Sequence, residues 1–218
     1  MSIASRPAPA KFTDPDVTAK GERRASVQLR RLDTLWFNTG TLCNIECVNC
    51  YIESSPSNDR LVYLKAAEVA RYLDEIEAGG LGTREIGFTG GEPFMNPEFL
   101  DMVEESLRRR YRVLVLTNAM QPMMRRPVRE RLLALRAAHG DRLTLRVSLD
   151  HHTERLHDTE RGAGSFARAL EGGRWLAAHG FRIDIAGRTC WGESEADERA
   201  GYARLFQRER LPLDAHDP

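Results

Sequence analysis

Apolar and polar positions along the chain fall into two alternating periods. Five short segments in which every second residue is apolar, or in which apolar residues run together, predict strands. These segments are residues 32–39, 84–89, 111–117, 142–150 and 181–189. Elsewhere, apolar residues recur three or four positions apart, as Val69, Leu73 and Ile76 do, which predicts helices. Because each strand is followed by a helix after a short connection, the pattern predicts an α/β fold with parallel strands.

Residues at the segment ends set where the predicted helices begin and end. Asn96 and Pro97 predict the N-cap and the first turn of the second helix. A single third helix is expected to end near Gly140, and Ser165 is expected to begin the fourth. The fifth helix is expected over residues 193–209, so five strand–helix units are predicted.

The fourth predicted strand has one polar and one apolar face. Thr144, Arg146 and Ser148 lie on one side of it, and the residues between them are leucine or valine. A sheet covered by helices on both sides is apolar on both faces. The pattern therefore favours a partial (β/α) barrel whose polar inner face lines a wet cavity. Edge strands of an open, doubly wound sheet produce the same alternation, and that architecture stays the alternative.

Composition and charge limit the class of protein. The 218 residues carry 32 basic and 32 acidic side chains, and this net charge of zero argues against a nucleic-acid or membrane-surface partner. No apolar run has the ~20 residues of a membrane-spanning helix, and the N-terminal segment lacks the apolar core of a signal peptide. We therefore expect a cytoplasmic protein, with residues 1–30 as a polar arm and residues 31–218 as one core domain.

Three of the four cysteines lie within eight residues, directly after the first predicted strand. Cys43, Cys47 and Cys50 form a C-x3-C-x2-C pattern, and thiolates so close in a reducing compartment suit a shared zinc or iron–sulfur centre. A structural zinc site takes four ligands, whereas Cys190 is distant in the sequence. Three cysteines on one loop suit a [4Fe–4S] cluster with one iron open to another ligand. A zinc site and unligated thiols stay the alternatives at this point.

Four stretches place the cysteines in a wider context. They are WFNTGTLCNIECVNCY around the cysteines, IGFTGGEPFMNPEFL around the second strand, VLVLTNAM at the third, and VSLDHHTERLHDTERGAGSFARALEG from the fourth. Their order and placement over residues 32–190 resemble the radical S-adenosylmethionine (SAM) enzymes. Two features depart from that pattern. Asn49 stands where the family often has an aromatic residue near the adenine, and the family's fifth-strand glycine and isoleucine pattern is only partly visible in Ile185, Ala186 and Gly187.

The resemblance implies a barrel of six strand–helix units, a [4Fe–4S] cluster and SAM. Cys43, Cys47 and Cys50 would ligate three irons, and the amino and carboxylate groups of SAM would ligate the fourth. An electron passed through the cluster would cleave SAM, and the resulting 5′-deoxyadenosyl radical would abstract a hydrogen atom from the substrate. The residues that the resemblance assigns to SAM are Gly90, Gly91, Glu92, Asn118, Ser148 and Arg161.

Physical reasons accompany several of these assignments. Gly90 and Gly91 have no Cβ, so a ligand is able to approach the backbone at the end of the second strand. Ser148 lies near the end of the fourth strand, where barrel active sites collect, and Arg161 in the following loop has a guanidinium suited to a carboxylate. Cys190, just past the fifth strand, is a candidate hydrogen-atom donor or ligand of a second cluster, with a small buried thiol as the alternative.

The stretches are most similar to the branch of the family that includes peptide maturases. A peptide or small-molecule substrate is therefore expected, with a flavodoxin or ferredoxin as electron donor. Because five of six units are visible, we expect that the chain lacks its last unit and is poorly soluble alone. A non-catalytic iron–sulfur or zinc-binding module is the alternative function. An ordinary SAM-dependent methyltransferase is disfavoured, because cysteines stand where its glycine-rich turn would follow the first strand.

Overall fold

A computed structural model describes residues 13–217 of the chain. Of the polar arm predicted over residues 1–30, residues 1–12 lie outside this described part. The chain divides into two compact units, Met1–Arg31 and Leu32–Pro218. In the first unit, Val17 and Arg23 form an isolated antiparallel bridge. The second unit contains the sheet.

Five parallel strands form this sheet, and their spatial order is their order in the chain. They are β1 (Thr34–Asn38), β2 (Glu85–Thr89), β3 (Arg112–Thr117), β4 (Leu143–Ser148) and β5 (Arg182–Ala186). A doubly wound sheet reverses its strand order at a switch point, whereas the wall of a barrel does not. The α/β class is therefore confirmed, and the strand order matches the partial barrel. Each strand lies inside its predicted range.

Seven α-helices lie within residues 13–217. They are α1 (Ala66–Ala78), α2 (Phe99–Arg108), α3 (Gln121–Met124), α4 (Arg126–His139), α5 (Glu154–Arg161), α6 (Ser165–Ala178) and α7 (Glu195–Glu209). Short 3-10 helices at Pro93–Met95 and Gly140–Arg142 precede α2 and β4. The predicted apolar face of α1, with Val69, Leu73 and Ile76, is buried. In this part of the chain, no helix combines the length and the apolar character that crossing a bilayer requires.

The start of α2 differs from the prediction. Asn96 is not the N-cap, because the helix begins at Phe99 after Glu98. The Asn96 side chain instead accepts a hydrogen bond from the Glu98 N–H (2.9 Å). It also donates to the carbonyl groups of Thr39 (3.1 Å) and Leu64 (2.9 Å), so it connects three chain segments rather than capping one.

Two further helices differ from the prediction. The third predicted helix is two helices, because Arg125 is extended between α3 and α4. Pro127, which has no N–H to continue the earlier ladder, lies in the first turn of α4. Helix α5 fills a segment in which no helix was predicted, since Leu156 is its one apolar residue and no apolar stripe indicates a helix. Arg161 therefore ends a helix and does not lie in a loop.

The alternation of polar and apolar residues in β4 is confirmed. Leu143, Leu145 and Val147 belong to the buried core, and the residues between them are half-buried. On the polar face, Arg146 forms an ion pair with Asp184 of β5 (3.1 Å). Because the strands are parallel, their carboxyl ends meet at one edge of the sheet, where barrel active sites collect. The loops at that edge carry the predicted site residues.

Candidate functional site

The three clustered cysteines lie on the loop between β1 and α1. Cys43 is buried, and Cys47 and Cys50 are half-buried. The N–H of Cys43 donates to the carbonyl oxygen of Ser55 (3.1 Å), and the N–H of Cys50 donates to that of Cys47 (3.3 Å). The sulfur of Cys50 accepts from the N–H of Ser54 (3.2 Å). The loop therefore folds back on itself within the span of the three cysteines.

The three thiols are electrostatically coupled. Burial is the main reason that the pKa of Cys43 is raised to about 12, and the charges of Glu92 and of the other two thiols act in the same direction. Burial also raises the pKa of Cys47, an effect that the charge of Arg161 opposes. The effect of Cys47 and Cys50 on the pKa of Cys43 shows that the three thiols lie close together, as a shared metal centre requires.

Gly90 and Gly91 join the end of β2 to the start of the cysteine loop. The N–H of Gly91 donates to Gly40 (2.8 Å), and that of Glu92 donates to Leu42 (3.1 Å). A Cβ on Gly91 would overlap the carbonyl group of Leu42, and a Cβ on Gly90 (φ +144°) would lie 2.8 Å from the Gly40 oxygen. The glycines thus leave room for the cysteine loop itself, whereas the sequence interpretation gave that room to a ligand. Their contact with SAM stays a prediction.

The Glu92 carboxylate fastens the end of β2 to the end of β3. It is buried and accepts hydrogen bonds from the Thr117 hydroxyl (2.8 Å) and the Asn118 N–H (2.8 Å). The N–H of Phe94 donates to it as well (3.3 Å). Burial raises the pKa of Glu92 to about 7, although these hydrogen bonds oppose the shift. Several contacts within the protein therefore occupy this carboxylate, and its predicted contact with SAM stays a prediction.

The Asn118 side chain connects the end of β3 to the cysteine loop. Its Nδ2 donates to Oδ1 of Asn44 (2.9 Å) and lies 3.9 Å from the sulfur of Cys43. Its Oδ1 accepts from the N–H of Met120 (3.0 Å), which fixes the orientation of the amide. Asn118 is thus placed directly beside a clustered cysteine.

Arg161, at the end of α5, is paired with Asp150, which follows β4. Its Nε and Nη2 donate to the two carboxylate oxygens of Asp150 at 2.7 and 2.9 Å. Arg188 approaches the same carboxylate with its Nε, at 3.2 Å. The charge of Arg161 lowers the pKa of Cys47, so the guanidinium acts on the cysteine loop. Two of its nitrogens are already held by Asp150, and its bond to the SAM carboxylate stays a prediction.

Glu160 holds the second half of the cysteine loop, and the sequence interpretation missed it. Its carboxylate accepts from the N–H and from the side-chain amide of Asn49, both at 2.8 Å. Its carbonyl oxygen accepts from the N–H of Val48 (2.9 Å), and Nη2 of Arg188 lies 3.6 Å from its carboxylate. The one sequence feature that could have indicated a polar partner is Asn49, which stands at a position that is often aromatic in the family.

Two further predicted residues lie on β4 and after β5. Ser148 is half-buried, ends β4 and pairs with Ala186 of β5. Cys190 is exposed on the loop between β5 and α7, so the alternative of a buried thiol is wrong. Neither is among the residues described above that hold the cysteine loop. Their roles stay predictions.

Sequence comparison decides the family. The family model of the Radical SAM superfamily matches residues 37–199, which are most of the chain. The chain belongs to the radical SAM superfamily. The family predicted from the four sequence stretches is therefore confirmed.

Two relatives within this superfamily give the extent of the similarity. The antilisterial bacteriocin subtilosin biosynthesis protein AlbA of Bacillus subtilis (strain 168) is 30% identical over 145 residues, which are 66% of this chain and 30% of that protein. The mycofactocin maturase MftC of Mycobacterium ulcerans (strain Agy99) is 33% identical over 139 residues, which are 64% of this chain and 35% of that protein. The chain spans about a third of the length of these curated relatives.

Solved structures show that the fold is shared with other radical SAM proteins. SuiB of Streptococcus suis, in a crystal structure bound to S-adenosylmethionine, matches with a TM-score of 0.66 at 15% identity, over 84% of this chain and 39% of that one. Methylornithine synthase (PylB) matches with a TM-score of 0.62 at 16% identity, over 84% of this chain and 52% of that one. At these identities the likeness concerns the fold.

Radical SAM enzymes use a [4Fe–4S] cluster and SAM, which confirms the predicted enzyme class and cofactors. The residues at the candidate site fit this cluster. Cys43, Cys47 and Cys50 supply three coupled thiols on one loop, which suits a cluster with three protein ligands and one open iron. A structural zinc ion would need a fourth ligand.

Proposed function

We propose that this chain is the SAM-binding core of an enzyme that modifies its substrate by radical chemistry. The observation that carries the proposal is the three-cysteine loop, held from two sides at the carboxyl edge of a parallel sheet. Gly91 and Glu92 hold its first half through the backbone, and Glu160 holds its second half through Asn49. Such hydrogen bonds would keep the three sulfur atoms in place for a cluster.

The side chains around the loop have distinct roles in this proposal. Cys43, Cys47 and Cys50 would hold the cluster, which when bound supplies the electron that cleaves the carbon–sulfur bond of SAM to give a 5′-deoxyadenosyl radical. Asn118 keeps a hydrogen-bond donor beside the sulfur of Cys43. Arg161 keeps a positive charge near Cys47, where it lowers the cost of a thiolate. The burial of Cys43 excludes water from that side of the loop.

We propose a peptide as the substrate, with a hydrogen atom taken from one of its carbon atoms and 5′-deoxyadenosine as the coproduct. MftC is named a maturase and AlbA a bacteriocin biosynthesis protein, and one crystal structure of SuiB is bound to the precursor peptide SuiA. A small-molecule substrate is the second candidate, favoured by the fold shared with methylornithine synthase. The electron would come from a reduced flavodoxin or ferredoxin, and the free thiols are consistent with the reducing cytoplasm.

The proposed domain boundaries follow from where the residues that hold the cysteine loop lie in the chain. The residues that hold the cysteine loop lie between Gly40 and Arg188, inside the second compact unit. We therefore propose residues 31–218 as the core domain for SAM chemistry and residues 1–30 as a polar arm or linker that precedes it in the chain.

Anaerobic reconstitution of the full chain tests this proposal. After iron–sulfur loading, reduction with dithionite in the presence of SAM should release 5′-deoxyadenosine, measured by liquid chromatography. C43A should abolish both the cluster and this product, whereas C190A, the control, should keep the cluster. A fully loaded cluster that yields no 5′-deoxyadenosine would support a non-catalytic iron–sulfur module instead.

A further inference from the structure

A second group of ligating side chains lies where the loops after β4 and β5 meet. His151 and His152 follow β4, and Glu193 precedes α7. One ligand atom from each residue lies within 4.8 Å of those of the other two. Nε2 of His151 is 2.5 Å from one carboxylate oxygen of Glu193, and Nε2 of His152 is 3.8 Å from the other. Both imidazoles therefore present the same ring nitrogen to one carboxylate.

The packing around the two imidazoles holds them in place. The ring centroids of His151 and His152 are 4.0 Å apart, and Trp191 meets His151 edge-on at 4.9 Å. Tyr202 of α7 meets His152 edge-on at 5.7 Å. On the same helix, a Cβ at Gly201 would overlap the ring of His152. The rings are thus fixed before any ligand arrives, which lowers the entropic cost of binding one.

Nε2 of His152 is a buried polar atom that has no hydrogen-bond partner in the described part of the chain. Buried polar atoms in native proteins nearly always have a partner, so a buried nitrogen without one points to an ion or a water at that position. The Nε2 atom is one of the ligand atoms that lie together with those of His151 and Glu193. A neutral imidazole has a nitrogen lone pair to donate to a metal.

We propose that His151, His152 and Glu193 form a binding site for one divalent transition-metal ion of the zinc class. Two imidazoles and one carboxylate are ligands of catalytic zinc, and they leave a position open to water or to an anionic group. The site shares no residue with the three-cysteine loop, and its residues have no part in the proposed function.

The hydrogen bonds of His151 show what the ion would replace. Nδ1 of His151 accepts from the N–H of Thr153 (3.0 Å), so in that arrangement its Nε2 carries the proton and donates to Glu193. An ion bound at Nε2 takes the place of that proton. Nδ1 then carries the proton and donates to the Thr153 hydroxyl, 2.8 Å away, while the Thr153 N–H gives up its bond to this nitrogen. The imidazole stays neutral, so the exchange of tautomers needs no net gain or loss of a proton.

Zinc binding to the cluster-loaded chain tests the proposal, because the cluster occupies the three clustered cysteines. Equilibrium dialysis against Zn²⁺ should give one tightly bound ion per chain. E193Q and H152A should each weaken binding by about tenfold or more, since each removes a direct ligand. E195Q, which changes an exposed carboxylate two residues away, and C190A should bind as the wild type does.

A thermal-unfolding series provides the second measurement. Zn²⁺ should raise the Tm of the wild type and of E195Q by more than that of E193Q, and Glu193 is exposed enough for its variant to fold. Failure of the wild type to bind zinc would show that His151 and Glu193 form a hydrogen-bonded pair only, and would overturn the proposal. Equal binding by the wild type and E193Q would overturn it too.

Discussion

The two halves of the cysteine loop are held by different kinds of contact. The first half is hydrogen-bonded through its backbone to Gly91 and Glu92, which we call the backbone contact. The second half is held by side chains, chiefly by the carboxylate of Glu160 on Asn49, with Arg188 beside it; this is the ionic contact. Both contacts hold the same loop, but we expect different substitutions to weaken them.

The comparison shows that the first half of the loop is fixed by close packing and the second half by the charge of a carboxylate. In the backbone contact, no side chain fits at Gly91, so steric exclusion specifies the residue. In the ionic contact, Glu160 accepts from two donors of Asn49, and its charge makes these bonds stronger than those to a neutral acceptor. We expect the backbone contact to decide whether the loop forms, and the ionic contact to decide how firmly its second half is held.

The substitution G91A should have the largest effect. The new Cβ would overlap the Leu42 carbonyl group, which is backbone and has little freedom to move. We expect a loss of about 3–5 kcal/mol in the free energy of unfolding, or failure to fold. Chemical denaturation of the cluster-free protein measures this loss.

G80A is the matched control for that substitution. Gly80 has φ +58° but nothing within 4 Å of a Cβ, so the cost should be only about 1–2 kcal/mol of backbone strain. Equal losses for G80A and G91A would contradict the steric account of the backbone contact.

Acid should destabilise the fold beside the ionic contact through His157, which lies on the same helix as Glu160. Nδ1 of this buried side chain accepts from the N–H of Asp150 (3.1 Å). Burial, aided by the charge of Arg161, lowers the pKa of His157 from 6.5 to about 4. The unfolded chain therefore binds this proton more readily than the folded one, and stability is lost as the pH falls from about 6.5 to about 4. The loss from this group is about 3 kcal/mol, at about 1.4 kcal/mol per pKa unit.

The substitution H157N tests that assignment, because an asparagine oxygen is able to accept the Asp150 N–H without titrating in this range. Urea unfolding of the cluster-free protein at several pH values should show a shallower acid loss in H157N than in the wild type. H179N, at an exposed histidine, should keep the wild-type profile. Identical acid profiles for the wild type and H157N would show that His157 does not cause the loss of stability in acid.

Substitution of Glu160 should have a smaller effect, confined to the second half of the loop. E160Q keeps one acceptor for Asn49 but loses the charge, so we expect a cost of about 1–2 kcal/mol. The reconstituted cluster should lose iron to a chelator faster than in the wild type. E154Q, at an exposed position of the same helix, should lose iron at the wild-type rate. If E160Q and E154Q lost iron at the same rate, the ionic contact would not be what retains the cluster.

The backbone contact was visible in the sequence, and the ionic contact was not. The apolar periodicity located all five strands, and two adjacent glycines at the end of β2 indicated a close approach. The approaching group is the Leu42 carbonyl rather than a ligand, which depends on how the loop folds. The bond between Glu160 and Asn49 joins residues 111 positions apart, and α5 has no apolar stripe to predict it. Such side-chain pairs depend on tertiary placement, which local periodicity does not contain.

The central claim is that this held loop binds a [4Fe–4S] cluster by three cysteines and leaves one iron for SAM. Electron paramagnetic resonance of the reduced, reconstituted full chain, recorded with and without SAM, tests it most directly. The claim predicts an iron and sulfide content of one [4Fe–4S] cluster per chain and a spectrum that changes when SAM is added. A zinc-loaded protein, or a cluster spectrum that SAM leaves unchanged, would contradict it.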